Sequence, residues 1–240
     1  MLDWQRMSAD PPLGEAIDWT PVEGPGPAPL RGSRVLLRAV DPGADAEPLY
    51  ALSHPPGGDP AVWTYLPEGP YDDVHHLRRR LESAAASDDP LFFTIVGLPD
   101  ERPLGVASYL RITPEFGVIE IGHIWFGPPL QRTAAATEAI YLLAARAFDG
   151  LGYRRLEWKC NALNAASRRA ADRFGFTFEG VFRNHQVLKR RNRDTAWYAI
   201  VDRDWPAIRS AFEAWLAPAN FDAAGRQRRS LGGLMPAAPR

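Results

Sequence analysis

The sequence predicts a mixed α/β fold in which a central, mostly antiparallel sheet carries helices on both of its faces. Three apolar runs follow one another between residues 91 and 126, separated only by turn residues, as is typical of consecutive antiparallel strands. From 131 to 174 a long helical pattern, a strand pattern and a second helical pattern follow, which makes the sheet a mixed one. The predicted order is β, α, α, β, β, β, α, β, α, β, β, α.

The chain opens with a proline-rich segment, residues 1–30, which we predict to be an extension outside the core. Trp4 and Trp19 indicate that parts of this extension pack on the domain. The domain itself is predicted over 31–218, and a flexible tail rich in Arg, Gly and Pro over 219–240.

The first elements of the domain are short. Residues 34–40 form an apolar run that predicts a strand, and 45–52 predict one or two helical turns. A loop with five prolines follows over 54–73. A helix is then expected from Asp73 to about residue 86, because its apolar residues recur on one helical face.

The middle of the chain supplies most of the sheet. Strands are predicted over 91–96, 104–112 and 118–126. A long helix is predicted over 131–150, because its apolar residues share one face and Gly150 lies near its end. The alternation of residues 155–161 predicts the next strand.

The last elements begin with a helix over 164–174, which Asn164 caps and Gly175 ends. Residues 176–189 and 194–201 predict a hairpin whose turn is the basic run 190–193. We interpret this run as a solvated tip, and the alternative is a site for an acidic substrate or RNA. A helix is predicted over 205–216 with proline in its first turn.

Composition narrows the function classes. The 240 residues are 45% hydrophobic, enough for one domain with a buried core. The net charge of −1 gives no overall field that would attract nucleic acid or an anionic membrane. Cys160 is the single cysteine, which excludes an intrachain disulfide and a cysteine-based metal site. The sequence shows no signal-peptide pattern and no membrane-spanning run, so we expect a cytoplasmic protein with no membrane partner.

A turn of small residues leads into the helix predicted from Gln131. Its residues are Gln131, Arg132, Thr133, Ala134, Ala135 and Ala136. Free backbone N–H groups and the helix dipole make such a turn a binding site for phosphate. Alanine at position 134 fits this purpose if its φ stays negative, and fails if the turn requires a positive φ there. An ordinary alanine-rich helix start is the alternative.

These residues resemble a motif of the GNAT N-acetyltransferases, Gln/Arg-x-x-Gly-x-Gly/Ala, with Ala134 in place of the first glycine. The similarity continues in Asn164-x-x-Ser167, Phe174-Gly175-Phe176, Glu179-Gly180 and Arg183, and it covers roughly residues 30–205. Within the superfamily the chain most resembles the branch that acetylates ribosomal-protein N-termini and small amines.

The resemblance implies acetyl-CoA as co-substrate and no metal. The pyrophosphate would bind at the turn, and the residues implied there are Gln131, Arg132, Thr133, Ala134, Ala135, Ala136 and Thr137. The pantetheine arm would pair with the backbone of Ile124, Trp125 and Phe126, where family members separate this strand from the next. Asn164 would bind the pantetheine amides in addition to capping its helix.

Two catalytic residues follow from the same resemblance. Ser167 would protonate the leaving thiolate, unless it serves only as a helix-capping hydroxyl. Glu120 lies on the strand where other GNAT enzymes place an acidic base, and its alternative role is that of a surface carboxylate. His123 is the second candidate base. Some members of the branch carry a glutamate near Gln186, which here cannot act as a base.

The predicted activity is transfer of an acetyl group from acetyl-CoA to a primary amine by direct attack. The expected acceptor is a small-molecule amine or a protein N-terminus; nucleic acid is not expected, and a homodimer is compatible with the sequence. Trp63, Tyr65, Pro67 and Tyr71 would either line the acceptor site or hold their loop on the core. The alternatives are an acyltransferase with another donor (a longer acyl-CoA, a carrier protein or tRNA) and a non-catalytic CoA-binding module.

Overall fold

The structure is a computed structural model that describes residues 13–237. One sheet of eight strands runs through the domain in the order β1-β2-β3-β4-β5-β6-β8-β7. Its strands are β1 (Leu30–Arg31), β2 (Val35–Ala39), β3 (Leu91–Gly97), β4 (Arg102–Thr113), β5 (Val118–Phe126), β6 (Arg155–Asn161), β7 (Thr177–Leu188) and β8 (Arg191–Val201). Its helices are α1 (Pro42–Ser53), α2 (Val74–Ala85), α3 (Ala134–Ala145), α4 (Ala165–Arg173) and α5 (Trp205–Leu216).

The predicted fold class is confirmed. All neighbouring strands pair antiparallel except β5 and β6, which are parallel. One face of the sheet buries Ile119 and Ile121 in the same core as Leu143 of α3 and Phe212 of α5. The other face carries α1 and α2, whose leucines form a second core with Val106. The sheet is therefore covered from both sides, because successive strand residues point to opposite faces.

Two helices differ from their predicted bounds. Helix α1 is longer than the predicted turns, because Asp41 accepts hydrogen bonds from the N–H groups of Gly43 and Ala44 and so caps a full helix. Helix α3 begins at Ala134 rather than at 131, because Thr133 Oγ1 accepts the N–H of Ala136 at 3.1 Å and acts as the N-cap.

The final hairpin turns earlier than predicted. Its two central residues are Lys189 and Arg190, with φ of 48° and 60°. A two-residue turn of this kind suits the twist of the strands but usually contains Asn or Gly. The basic run contains neither residue at these two positions, so the sequence did not indicate where the chain turns. Strand β8 therefore starts at Arg191 instead of at the predicted residue 194.

The segments outside the domain core make specific contacts. Trp19 donates its indole N–H to the carbonyl of Glu115 at 2.9 Å, as expected for an extension that packs on the domain; Trp4 lies outside the described residues. Although a flexible tail is predicted over 219–240, Leu231 is fully buried in the main core. Within residues 13–237 no helix combines the length and apolar character needed to cross a membrane.

Candidate active site

Strands β5 and β6 separate after a short parallel pairing. They pair only where Val118–Glu120 meets Arg155–Glu157. Beyond this point β6 continues beside β8, whereas β5 continues beside β4. The backbone of Ile124, Trp125 and Phe126 thus faces a gap on the β6 side, which is where the resemblance places the pantetheine arm.

A β-bulge interrupts β5 at the start of this gap. Val106 pairs with Trp125 but Ser108 pairs with Gly122, so β5 contains one extra residue. His123 takes up the irregularity with a φ of 48°, and its Nδ1 lies 3.0 Å from Ser108 Oγ. Bulges of this kind re-aim side chains and backbone groups next to active sites.

The predicted phosphate turn lies directly after β5. Gln131 Nε2 donates to the carbonyl of Phe126 at 2.8 Å, which ties the turn to the strand. Arg132 has a φ of 60°, whereas Ala134 is helical and has no positive φ. The residue that needs the left-handed conformation is therefore Arg132, and an alanine at 134 fits without backbone strain.

The turn presents a set of free backbone donors. The N–H of Gln131 binds the Gly127 carbonyl, and the N–H of Ala136 binds its cap. Among the residues that the structure describes, the N–H groups of 132–135 have no hydrogen-bond partner. Four such donors at a helix N-terminus form a suitable cradle for a pyrophosphate.

Thr137 does not belong to the exposed part of this cradle. Its side chain is buried, and its Oγ1 accepts a hydrogen bond from Arg173 Nη1 at 3.0 Å. The resemblance implies a cofactor contact here. In the structure the buried side chain of Thr137 instead connects α3 to Arg173 at the end of α4. Ala136 is also buried, whereas Ala134 and Ala135 remain partly accessible.

Asn164 and Ser167 lie at the start of α4, across the gap from β5. Asn164 Oδ1 accepts the N–H of Ser167 at 3.0 Å, so the predicted cap is confirmed. The indole N–H of Trp158 donates to Ser167 Oγ at 3.0 Å. The oxygen of Ser167 is thus held in place by a buried indole. Nearby, burial raises the pKa of the Cys160 thiol, which disfavours a thiolate nucleophile.

Glu120 is buried within a network of charges. Its Oε2 accepts from Arg111 Nη1 at 2.7 Å and from Lys159 Nζ at 3.0 Å. Lys159 also contacts Glu157 Oε2 at 2.6 Å. Burial raises the pKa of Glu120 above its usual value, although the two cations oppose this rise. Among the described residues Glu120 Oε1 has no hydrogen-bond donor, so one carboxylate oxygen is free to take a proton.

Glu120 lies close to the bulge. A β-carbon placed on Gly122 would be 3.4 Å from Glu120 Oε1, so the free oxygen stands beside the residue that precedes His123. Burial, together with the charges of Arg80 and Arg111, lowers the pKa of His123 to about 4. His123 is therefore neutral at pH 7.

A cavity of about 50 Å³ lies between α2, the proline-rich loop and the bulge. Its wall combines aliphatic side chains with five aromatic ones, namely Trp63, Tyr71, Phe92, His123 and Trp125. Three of the four loop residues singled out in the sequence, Trp63, Pro67 and Tyr71, line this wall. Tyr65 is different, because its hydroxyl donates to the carbonyl of Leu163 at 3.3 Å.

Three polar side chains of the cavity are paired with one another. Arg80 Nε lies 2.6 Å from Glu68 Oε2, which also accepts the hydroxyl proton of Tyr71 at 3.0 Å. Sequence reasoning did not identify Glu68, Arg80 or Trp158. Only the proximity of Glu68 to Tyr71 in the sequence hinted at one of them, because the other contacts join distant segments.

Comparison with known proteins agrees with this geometry. The sequence model of the family described as acetyltransferase (GNAT) domain matches residues 34–177 of this chain. A GCN5-related N-acetyltransferase from Brucella melitensis is 44% identical in sequence, covers 90% of this chain and 98% of its own, and superposes with a TM-score of 0.87. A GNAT-family protein from Chromobacterium violaceum ATCC 12472 is 38% identical, with coverage of 82% and 100% and a TM-score of 0.75.

A more distant structure shares the fold alone. The microcin C7 self-immunity acetyltransferase MccE, solved with acetyl-CoA and AMP, is 22% identical, covers 71% of this chain and 93% of its own, and gives a TM-score of 0.60. No curated protein sequence gives a significant match.

Proposed function

The chain belongs to the GNAT acetyltransferase family, and from this premise we propose that it moves the acetyl group of acetyl-CoA onto a primary amine by direct attack. Family membership supports acyl transfer from acetyl-CoA and favours an enzyme over a non-catalytic CoA-binding module. The observation that carries the proposal for this site is the separation of β5 from β6 beside the free N–H groups of the α3 turn.

The co-substrate would span these two features. Its pyrophosphate would accept hydrogen bonds from the N–H groups of 132–135, with Arg132 adding a charge-assisted contact. Its pantetheine arm would lie in the gap and pair with the backbone of β5, as an added strand would. Asn164 uses Oδ1 for its cap and keeps its amide N–H groups for a pantetheine carbonyl.

Two protons must move during the reaction. The attacking amine must be neutral, and an α-amine with a pKa of about 8 is already neutral in roughly a tenth to a quarter of molecules near pH 7–7.5. Glu120 Oε1 would accept the remaining proton, directly or through water. The departing thiolate, whose thiol has a pKa of about 8.5, would receive a proton from Ser167.

The alternative donors lose their main support. They were motivated by alanine at 134, which raised the question whether the turn can approach a pyrophosphate. Because Ala134 is helical and the positive φ falls on Arg132, the turn retains its free donors. The turn thus favours a CoA thioester over a carrier protein or tRNA, and among CoA thioesters we propose acetyl-CoA.

For the acceptor we favour a small amine over a protein N-terminus, although the resemblance is to the ribosomal-protein branch. The loop that carries Trp63 is joined across the site to the β7–β8 hairpin, because Lys189 Nζ donates to the Trp63 carbonyl at 2.6 Å. Tyr65 and Leu163 form a second connection. These bridges narrow the approach to the cavity, which suits a small acceptor better than a protein chain.

The test is a thiol-release screen with acetyl-CoA across small primary amines, free amino acids and short peptides with free N-termini. Products would be identified by mass spectrometry, and the same acceptors with a blocked nitrogen serve as controls. We expect acceptor-dependent release of CoA and an N-acetylated product. Tight acetyl-CoA binding without any acceptor-dependent release would contradict the proposal, and acetylation of peptides alone would reverse the order of acceptors.

A further inference from the structure

Arg193 is an arginine of the site that has no protein partner. It lies near the start of β8, is half-buried, and forms no salt bridge with any residue between 13 and 237. Its Nε is completely buried and has no hydrogen-bond acceptor. A buried guanidinium donor without an acceptor is costly and therefore calls for an explanation such as a ligand.

Three other arginines near the site are neutralised. Each has a carboxylate within salt-bridge distance, so none of the three is available to an incoming anion without giving up its partner. The pairs are Arg80 with Glu68, Arg111 with Glu120, and Arg155 with Glu179. Arg168, on α4, instead donates to the hydroxyl of Tyr198. Arg193 has no such partner among the residues that the structure describes.

The position of Arg193 in β8 places its side chain on the face of the sheet where we expect the acceptor to bind. Arg193, Thr195 and Trp197 alternate along β8 and so share one face. Trp197 packs against the ammonium of Lys159 at 3.9 Å, and Lys159 reaches Glu120 at 3.0 Å. Arg193 therefore lies on the face that carries the candidate base. Burial lowers the pKa of its guanidinium, and the nearby Cys160 and Glu120 oppose this shift.

Two other buried donors near this region also have no acceptor. They are the indole N–H groups of Trp63, which borders the aromatic cavity, and of Trp197, on the same face as Arg193. The region thus has an excess of hydrogen-bond donors and one unpaired positive charge. A ligand rich in acceptor atoms and negatively charged is its chemical complement.

We propose that Arg193 binds a carboxylate of the acceptor, so that the substrate is a small primary amine with its own carboxylate, such as a free amino acid. This inference rests on the proposed function and names its substrate class. The two Nη groups of the guanidinium, rather than the covered Nε, would hold the carboxylate through two parallel hydrogen bonds. The aromatic cavity would accept the apolar part of such an acceptor.

The phosphates of CoA are a less suitable partner for Arg193. The phosphate turn opens α3, which packs on the sheet face that buries Ile119 and Ile121. Arg193 shares the opposite face with Lys159, through Trp197. Substitution of Arg193 should therefore leave the affinity for acetyl-CoA unchanged.

The experiment measures binding and does not depend on turnover. Protein saturated with CoA is titrated calorimetrically with free amino acids and, for each, with the amine that lacks only the carboxylate. We expect at least one amino acid to bind about 10- to 100-fold more tightly than its decarboxylated partner, the range for a charge-assisted hydrogen bond. Arg193→Gln should abolish this preference, whereas Arg191→Gln, an exposed arginine of the same strand, should keep it.

Several results would overturn the inference. They are equal affinity of the wild-type protein for both members of every pair, failure of every amino acid to bind, and a preference that persists in Arg193→Gln. The wild-type comparison requires no variant, and an unchanged affinity for acetyl-CoA checks the fold of Arg193→Gln. Binding with the expected preference but without thiol release would refute the proposed function and leave this inference standing; acetylation of amines with no carboxylate preference would do the reverse.

Discussion

Trp158 donates its indole N–H to the hydroxyl oxygen of Ser167 across 3.0 Å. Trp158 is 5% exposed and packs between Phe174 and Phe176, so the donor is held rigidly. The backbone N–H of Ser167 is fixed in turn by Asn164. Because the oxygen already accepts a hydrogen bond, the indole N–H would polarise the hydroxyl proton. We propose that Ser167 uses this proton to neutralise the leaving thiolate.

Ser167→Ala should lower kcat by up to about 100-fold and change the KM for acetyl-CoA little, because a donor to the thiolate acts mainly in the transition state. Trp158→Phe keeps the ring and removes the N–H, and its smaller effect, about tenfold or less, should also fall on kcat. Steady-state kinetics with acetyl-CoA varied would measure both. Wild-type kcat in Ser167→Ala would reduce the hydroxyl to a helix cap.

Glu120→Gln should remove the base while preserving shape. Since burial raises the pKa of Glu120, the wild-type rate should fall as pH drops through a value above that of an ordinary carboxyl, where the base becomes protonated. In the variant the fall in rate that reports the protonation of Glu120 should be absent. The variant should be slower by about 100-fold or more near neutrality, and its rate should recover as rising pH deprotonates the amine without a base. The defect should be smaller for an α-amine than for a lysine-type acceptor, whose pKa is about two units higher.

The matched control for Glu120 is Glu157→Gln. Glu157 shares the ion pair with Lys159, at 2.6 Å, but we assign it no proton transfer. pH–rate profiles of both variants on one acceptor separate the roles. Parallel profiles with equal rates for wild type and Glu120→Gln would show that this carboxylate is not the base, and His123 would be the next residue to test.

Ala135→Asp should weaken acetyl-CoA binding at least about tenfold, because its carboxylate would stand beside the phosphates. An aspartate in the first turn of a helix interacts favourably with the helix dipole and so stabilises the helix. A loss of affinity for acetyl-CoA would therefore not reflect a weaker helix. Ala207→Asp makes the same change in the first turn of α5, where the side chain is exposed, and should leave binding intact. Calorimetric affinities that are equal for both variants would refute the pyrophosphate assignment.

Glu138→Ala should destabilise the fold by about 3–5 kcal/mol. The buried carboxylate accepts hydrogen bonds from the backbone N–H groups of Ser33, Arg34 and Val35 and from the Ser33 hydroxyl, at 2.6–3.1 Å. Removing it leaves three partly buried donors and the buried N–H of Val35 without an acceptor. Denaturant unfolding would measure the loss against Glu82→Ala, an exposed helical glutamate that should be nearly neutral. Equal midpoints for the two variants would contradict this role.

The sequence predicted those parts of the molecule that local patterns determine. Three apolar runs along 91–126 predicted three strands that the structure confirms, and the cap at Asn164 is formed by residues three apart. The place of Ser167 relative to the predicted gap followed from the resemblance to a known family. Its function as a proton donor stays a prediction.

Other features depend on contacts that sequence patterns do not record. Glu138 reaches Ser33 across 105 positions, so nothing near it in the chain indicates a buried clamp. The positive φ of Arg132 and the turn at Lys189 occupy conformations in which glycine or asparagine is the usual signal. Arg193 lay inside a basic run that resembled a solvated turn, and only the strand register shows that it shares a face with Trp197.

A single-turnover experiment tests whether the acetyl group passes directly from acetyl-CoA to the amine. Protein in excess over acetyl-CoA labelled in the acetyl group would be followed by intact-protein mass spectrometry and product analysis, first without an acceptor and then with the best amine from the screen. Direct attack predicts that the label stays on CoA until the amine is added and then appears on the amine nitrogen. The rate of this transfer should be lower in Glu120→Gln and Ser167→Ala. Label that moves onto the protein before any amine is present, with release of CoA, would contradict direct attack in this site.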